Sequence, residues 1–265
     1  ASGGGLYLDG LSTLTLSETA VYSNTASSNG GGIFLDGTAA LTNITVSNNE
    51  AQANGGGIWV QSDDTTIESV TIGQTTAVSG GGIYNSSGTA TLHNSLLAGN
   101  SATTAPNCGG SSLTSSGFNL IQDAADCVLG GDLTGNILGA DPLLEPLNFQ
   151  GMNTYIHSLA STSPAIDTAD PASCPSVDQH HRPRPMDGDL SGTAVCDIGA
   201  FEFGIPIRVG DATVTETASG GLAATFPVTL DLAATVEVSF SYATSDETAV
   251  AGQDYTAVSS LVAYE

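Results

Sequence analysis

Short apolar runs recur along the first hundred residues with a fixed rhythm. Four glycine triplets, starting at Gly3, Gly30, Gly55 and Gly80, each precede a matched three-residue segment. The segments are Leu6-Tyr7-Leu8, Ile33-Phe34-Leu35, Ile58-Trp59-Val60 and Ile83-Tyr84-Asn85. A second apolar run follows some ten residues on: Leu41 to Val46, Ile67 to Ile72, Leu92 to Leu97 and, less regularly, Leu14 to Val21. Self-similarity at this period marks stacked units that cannot bury a core singly. The runs are short, rich in β-branched and aromatic residues, and separated by Gly, Asn, Ser and Asp, which is strand and turn chemistry. Several short strands per 25 or so residues, without a helical pattern or a Leu-x-x-Leu-x-Leu signature, predict the coils of a parallel β-helix.

Alternation assigns faces. Leu6, Ile33, Ile58 and Ile83 point inward together with Leu8, Leu35 and Val60. Tyr7, Phe34, Trp59 and Tyr84 point outward as an aromatic ladder, either stacked on one another or serving as a platform for sugar rings. The glycines supply positive φ and close approach of neighbouring coils at the corner before each strand. No helix follows them, so they are no phosphate cradle. Asn24, Asn49 and Asn100 share a turn position where stacked amides hydrogen-bond along the solenoid.

Charge narrows the function. Against 27 acidic residues stand three arginines and no lysine, a formal net charge of −24. Nucleic acid and anionic membrane surfaces need cations this chain lacks. The acidity suits salt or calcium. No apolar run reaches the ~18 residues of a membrane-spanning helix. The chain starts near a repeat boundary and stops at Glu265 in what reads as mid-strand, so it is expected to be a segment of a larger protein.

Catalysis finds little footing on the repeats. A lyase acting on uronates needs a cation, and the three arginines, Arg182, Arg184 and Arg208, all lie outside the repeats. Inverting glycosidases need two carboxylates about 6.5–9.5 Å apart. Asp63 and Asp64 would face opposite ways on a strand. Asp9 and Asp36 fall on consecutive coils, but Gln61 and Ser86 continue their column. His93 has no carboxylate partner in local register. Cys108, Cys127, Cys174 and Cys196 lack zinc-ligand spacing. Their even number predicts disulfides and an oxidising compartment. Three pairings are open; neighbour pairing would close loops of about 20 residues, each contributing about 3 kcal/mol.

After Asn107 the repeat decays into irregular coils. Asn107-Cys108-x-Gly110, Asp141-Pro142-Leu143-Leu144, Ser163-Pro164-Ala165-Ile166-Asp167, and Pro183-Arg184-Pro185-x-Asp187-Gly188-Asp189 leading to Cys196-Asp197-Ile198-Gly199-Ala200-Phe201-Glu202 resemble the choice-of-anchor Q domain family. The resemblance covers roughly residues 1–203 and implies a secreted bacterial right-handed parallel β-helix related to the pectin-lyase fold, without catalytic residues. The 163–202 stretch is expected to be the terminal unit over the open last coil. His180-His181-Arg182 departs from the family pattern, which puts an ion pair through this loop in doubt; the two histidines are expected in solvent. Asp187, Asp189 and Ser191, with Gly192 after them, are spaced like the start of a calcium loop, although Ile198 stands where a bidentate Glu is required.

From about residue 205 longer alternating segments appear: Thr213 to Thr217, Ala224 to Leu230 and Val236 to Ala243. They predict an antiparallel sandwich. Val214-Thr215-Glu216, Ser241 to Ala249 and Ala251-Gly252-Gln253-Asp254-Tyr255 resemble a Calx-β domain. By that resemblance Glu216, Asp246 and Asp254 match calcium-ligand or signature positions, with Glu247 in place of the usual glycine. The expected organisation is all-β: a parallel β-helix with its cap over 1–204, then the N-terminal portion of an immunoglobulin-like sandwich over 205–265. The expected function is a non-enzymatic secreted or cell-surface scaffold or adhesin, with calcium as cofactor. Its partner would be an extracellular polysaccharide or a cell-surface protein, with no nucleic acid and no membrane insertion. The alternative is a β-helix that binds or processes extracellular polysaccharide.

Overall fold

A computed structural model describes residues 1–61, 64–149, 154–204, 207–215, 221–230 and 238–264. No helix occurs among them. The chain divides into two compact units, Ala1–Asp189 with Ala194–Gly204, and Leu190–Thr193 with Ile205–Glu265.

The first unit is a parallel β-solenoid of about five turns, with three faces. One face stacks Leu6–Leu8, Ile33–Leu35, Ile58–Val60, Ile83–Asn85 and Cys108–Gly110 in parallel register, so that Leu6, Ile33, Ile58, Ile83 and Cys108 form one inward column. The longest face begins with the strands Thr13–Tyr22 and Thr38–Ser47. It continues as paired shorter strands, Thr65–Glu68 with Thr71–Gly73 and Ala90–His93 with Leu96–Ala98. Leu113–Ser116 with Leu120–Ile121, and Leu129–Asp132 with Ile137–Leu138, complete it. The third face joins Thr25–Ala26, Glu50–Ala51, Thr76–Ser79 and Ser101–Thr104. Stacked coils let each strand satisfy its backbone groups on its neighbours. The inward ranks form a continuous core in which Ile33, Leu35, Leu41, Ile58, Ile67 and Ile83 are fully buried.

Left-handed residues turn each coil. Only the first glycine of each triplet has positive φ, +66° at both Gly30 and Gly55. The second is required for another reason. A Cβ on Gly31 would lie 2.4 Å from the Gly56 carbonyl oxygen, and one on Gly56 2.5 Å from that of Gly81. On the last coil of this face Ala105-Pro106-Asn107 replaces the triplet, and Ala105 takes the same backbone conformation with φ 54°. The amide column predicted at the next corner is present. The Asn24 backbone N–H and Nδ2 both donate to Asn49 Oδ1, and Thr75 stands between Asn49 and Asn100, donating to Asn100 Oδ1.

A third column of left-handed residues, Glu18, Asn43, Ser69, Asn94 and Phe118, bends the long face in its middle. Here the residues are not glycines. Asn tolerates this conformation, and both asparagines use their amides to hold a second layer. Asn43 Nδ2 donates to the Val177 carbonyl and its Oδ1 accepts from Arg184 Nη1. Asn94 Nδ2 donates to the Ser173 carbonyl and its Oδ1 accepts from the Asp170 N–H.

That layer corrects an expectation. The 163–202 stretch does not form a lid over the last coil; it runs along the flank of the solenoid. Thr45 Oγ1 donates to Gln179, Ser47 Oγ bonds His157 Nε2 at 2.8 Å, and the Ala200 N–H donates to Thr71 Oγ1. A second core lies beneath the flank, where Leu96, Ala98 and Leu120 meet Ile156, Leu159, Ile166, Ile198 and Phe201. The physical reason is that the outward rank of the long face carries Leu96, Ala98 and Leu120, which need cover on that side as well. The end of the first face is covered instead by a short loop. Asp126 accepts from the Ala105 N–H, the Asp123 carbonyl accepts from Asn107 Nδ2, and Cys108 is bonded to Cys127. The second disulfide joins Cys174 to Cys196 within the flank, so both pairings are between neighbours.

The second unit contains two antiparallel pairs, Ile207–Val209 with Val228–Leu230 and Val238–Ala243 with Ser259–Tyr264. These are compatible with part of a sandwich. No strand occurs in the described part of 213–217, and the strand expected from Ala224 begins at Val228. Thr213 to Thr215 and Ala224 to Pro227 stand outside any strand; the Pro227 carbonyl accepts from the Gly210 N–H, but proline has no N–H with which to extend a ladder. Residues 216 and 217 lie outside the described residues.

Candidate functional site

The aromatic ladder forms, and its geometry changes what it offers. Tyr7 stacks on Phe34 with centroids 4.8 Å apart and planes 8° from parallel; Phe34 stacks on Trp59 at 4.2 Å and 12°. Tyr84 follows Trp59 in register. The stacking turns ring faces toward one another along the axis. Phe34 and Trp59 retain only 8% and 6% exposure, against 54% for Tyr7. A sugar stacks on a ring face, and of the three stacked rings Tyr7 is the exposed one, while Tyr84 is half-buried. One strand step beyond the ladder, a polar groove of about 630 Å³ opens between coils, lined by Asp36, Thr38, Gln61, Asp64 and Ser87. Asp63, the other half of the acidic pair, lies outside the described residues.

Sequence reasoning placed Asp187 and Asp189 in a cation loop. The fold adds Asp167, whose carboxylate comes together with theirs so that one oxygen from each lies within 4.8 Å of the others. Asp167 has φ 53°, directly after the buried Ala165 and Ile166. Its carboxylate accepts from the Asp189 and Val195 amides. Burial pushes Asp167 up to about 6 and the Asp189 charge adds to this, while the two amide bonds oppose it. Three carboxylates held close is the donor chemistry that calcium takes, so these residues fit that ion. Asp167 ends the Ser-Pro-Ala-Ile-Asp string, but its distance of 20 residues from Asp187 hid the pairing.

Behind this cluster lies a buried charge network. Arg184 Nε donates to Glu202 Oε2 at 2.7 Å, and its Nη2 donates to the carbonyls of Asp197, Gly199 and Phe201. Asp197 accepts from the amides of Asp167 and Phe203. Burial pushes its carboxyl up to about 8; Glu202 adds to the shift, and the amide bonds and Arg184 oppose it. An ion pair therefore runs through the flank despite the departure at His180-His181-Arg182.

Two histidine expectations are corrected. His180 is buried rather than in solvent, with Nε2 bonded to the Thr154 carbonyl, because the flank folds over it. His93 does have carboxylate neighbours. Glu68 stands in register on the previous coil, 3.9 Å from Nδ1, and Asp170 of the flank lies 3.3 Å from Nε2. The register partner was hidden by reading the coil in isolation.

In the second unit, Asp246 Oδ1 accepts from the Ala251 amide and the Tyr255 hydroxyl, and Asp254 Oδ2 accepts from the Val250 amide. Tyr255, followed by the Ala251 amide, holds Asp246 below the usual carboxylate range. Among the described residues neither joins a cluster of three metal-ligating side chains. Glu216 lies outside the described residues.

These features define a class: an acidic parallel β-solenoid with a disulfide-bonded flank layer. Comparison with family models, curated proteins and solved structures finds no match.

Proposed function

We propose that this protein is a non-enzymatic scaffold of the secreted or cell-surface compartment, a stiff solenoid that serves attachment or contact between cells. The observation that carries this reading is the pair of disulfides, one at the terminal coil and one within the flank, since such bonds persist where the surroundings oxidise. The resemblance to choice-of-anchor Q and Calx-β domains supports it, and so does the lack of cations on the repeats. The test is alkylation of intact source cells with a membrane-impermeant reagent, with and without reduction. Labelling of all four cysteines only after reduction, on surface-exposed protein, is expected. A cytosolic protein with four free thiols overturns the proposal.

Calcium is the cofactor we assign. Asp167, Asp187 and Asp189 are its site in the first unit, and Glu216, Asp246 and Asp254 contribute to a Calx-β-type site in the second. Melting of the whole chain with calcium against chelator tests both. Asp189→Asn separates them, because it removes only the first contribution. An unchanged melting temperature at millimolar calcium rejects calcium as the cofactor.

A second reading is favoured by the groove at Asp36, Gln61 and Asp64: binding of an extracellular polysaccharide. Its hydroxyl, amide and carboxylate lining suits neutral sugar hydroxyls better than uronates. A glycan array comparing wild type with Gln61→Ala and Trp59→Ala tests it, and equal profiles for all three proteins reject it.

A further inference from the structure

The flank is attached along the left-handed column of the long face, and all four histidines of the chain lie on the flank or against it. His157 bonds Ser47, His180 is buried within the flank, and His181 lies 3.4 Å from Glu18. His93 projects from the solenoid toward the flank turn Asp170–Ser173.

His93 is the informative one. Its two ring nitrogens face different carboxylates, Nδ1 toward Glu68 on the preceding coil and Nε2 toward Asp170 on the flank. The next strand on the other side, Leu113–Ser116, brings hydroxyls and no titratable group. Among the described residues, Glu68 and Asp170 are thus the charged groups that face the ring within 4 Å. A neutral imidazole has one N–H and one lone pair, so in either tautomer one carboxylate faces a lone pair. Only the doubly protonated ring offers a donor to both. Nε2 is buried and makes no aligned hydrogen bond, so the site does not select one neutral tautomer. The same turn is otherwise held by hydrogen bonds that do not titrate in this range, from Asn94 Nδ2 to the Ser173 carbonyl and from the Asp170 N–H to Asn94 Oδ1. Ser173 Oγ donates to Glu68, so the carboxylate on the solenoid side also reads the position of the turn.

We propose that the Asp170–Ser173 turn is a proton-dependent latch on the solenoid, closed when His93 carries protons on both nitrogens and loosened when it loses one. Loosening is local, because the disulfide at Cys174 keeps the rest of the flank in place. It uncovers the outward side of Asn94 without unfolding the coils.

The experiment is amide hydrogen exchange of the oxidised whole chain between about pH 5 and about pH 8, the range over which imidazole titrates. Rates are corrected for the intrinsic pH dependence of exchange. In wild type, protection of residues 169–174 is expected to fall several-fold as pH rises, while the inward strands Ile58–Val60 and Ile83–Asn85 keep theirs. In His93→Gln the fall disappears. Asp170→Asn, which retains a side chain of the same shape, reduces it without removing the Asn94 bonds. A wild-type turn whose protection does not change with pH overturns the latch, and so does a His93→Gln protein that keeps the wild-type slope. If His93→Gln loses protection throughout the solenoid, Glu68→Gln is read in its place, and a wild-type slope there overturns the proposal equally.

Discussion

Arg184 and Glu202 form an ion pair with neither side chain accessible to solvent, Nε to Oε2 at 2.7 Å. They stand 18 residues apart in a segment without regular strands. The Arg184 guanidinium also ties three flank carbonyls together, so it organises backbone as well as charge. Removing one partner strands the other in a low-dielectric site. Arg184→Met is therefore expected to lose about 3–5 kcal/mol in denaturant unfolding, with the change confined to flank probes if the solenoid unfolds separately. Replacing both partners by apolar residues should recover part of that loss.

Stability should fall as pH rises above the ordinary carboxylate range. Asp197 is raised from 3.8 to about 8 in the folded protein, so the folded state holds a proton that the unfolded state releases. Its contribution is complete below the unfolded value and is lost as pH rises through about 8. Asp167, raised to about 6, acts in the same direction at lower pH. The melting temperature is expected to decrease between about pH 4 and about pH 8. Asp197→Asn should flatten the upper part of that profile, and a profile that rises through this interval refutes the assignment.

Glycines in the triplet are not equivalent to glycines elsewhere on the solenoid. Gly31→Ala drives a Cβ to 2.4 Å from the Gly56 carbonyl oxygen and should cost at least about 2 kcal/mol. Gly130, exposed on the strand Leu129–Asp132, has open space around its missing Cβ and no positive φ. Gly130→Ala should stay within about 0.5 kcal/mol of wild type. Equal melting temperatures for the two variants would sink the explanation of the triplets.

The disulfide Cys108–Cys127 spans 19 residues and fixes the loop over the last coil of the first face. Replacing both cysteines with serine is expected to lower stability by about 3 kcal/mol. Exchange should increase first at Ala105, whose backbone N–H donates to Asp126 of that loop. Unchanged exchange there refutes the covering role.

Much of the solenoid was legible because its determinants are local and repeated. The glycine triplets, the apolar segments after them and the asparagine corner each recur at nearly constant spacing, so one coil explains the next. The flank was legible only in part. Leu96-Leu97-Ala98 and Leu120-Ile121 are runs buried on both sides, which is how a covered parallel sheet reads, yet nothing local says that residues 154–204 supply the cover. Asp167 joins Asp187 and Asp189, and Asp170 meets His93, through contacts between segments with no shared period. In the second unit, alternation alone overstated strand length: the strand expected from Ala224 starts only after Pro227, which has no N–H for a ladder.

The flank has a consequence for the order in which the molecule is built. Each coil needs only the one before it, some 25 residues back, so the stack can grow as the chain emerges. Asn43 waits 134 residues for Val177, Thr45 the same distance for Gln179, and Thr71 129 residues for Ala200. Closing such distances is slow compared with adding a coil. The outer side of the long face therefore remains bare until the last part of the flank exists. The interval between the two events is when this protein is most exposed to unwanted pairing.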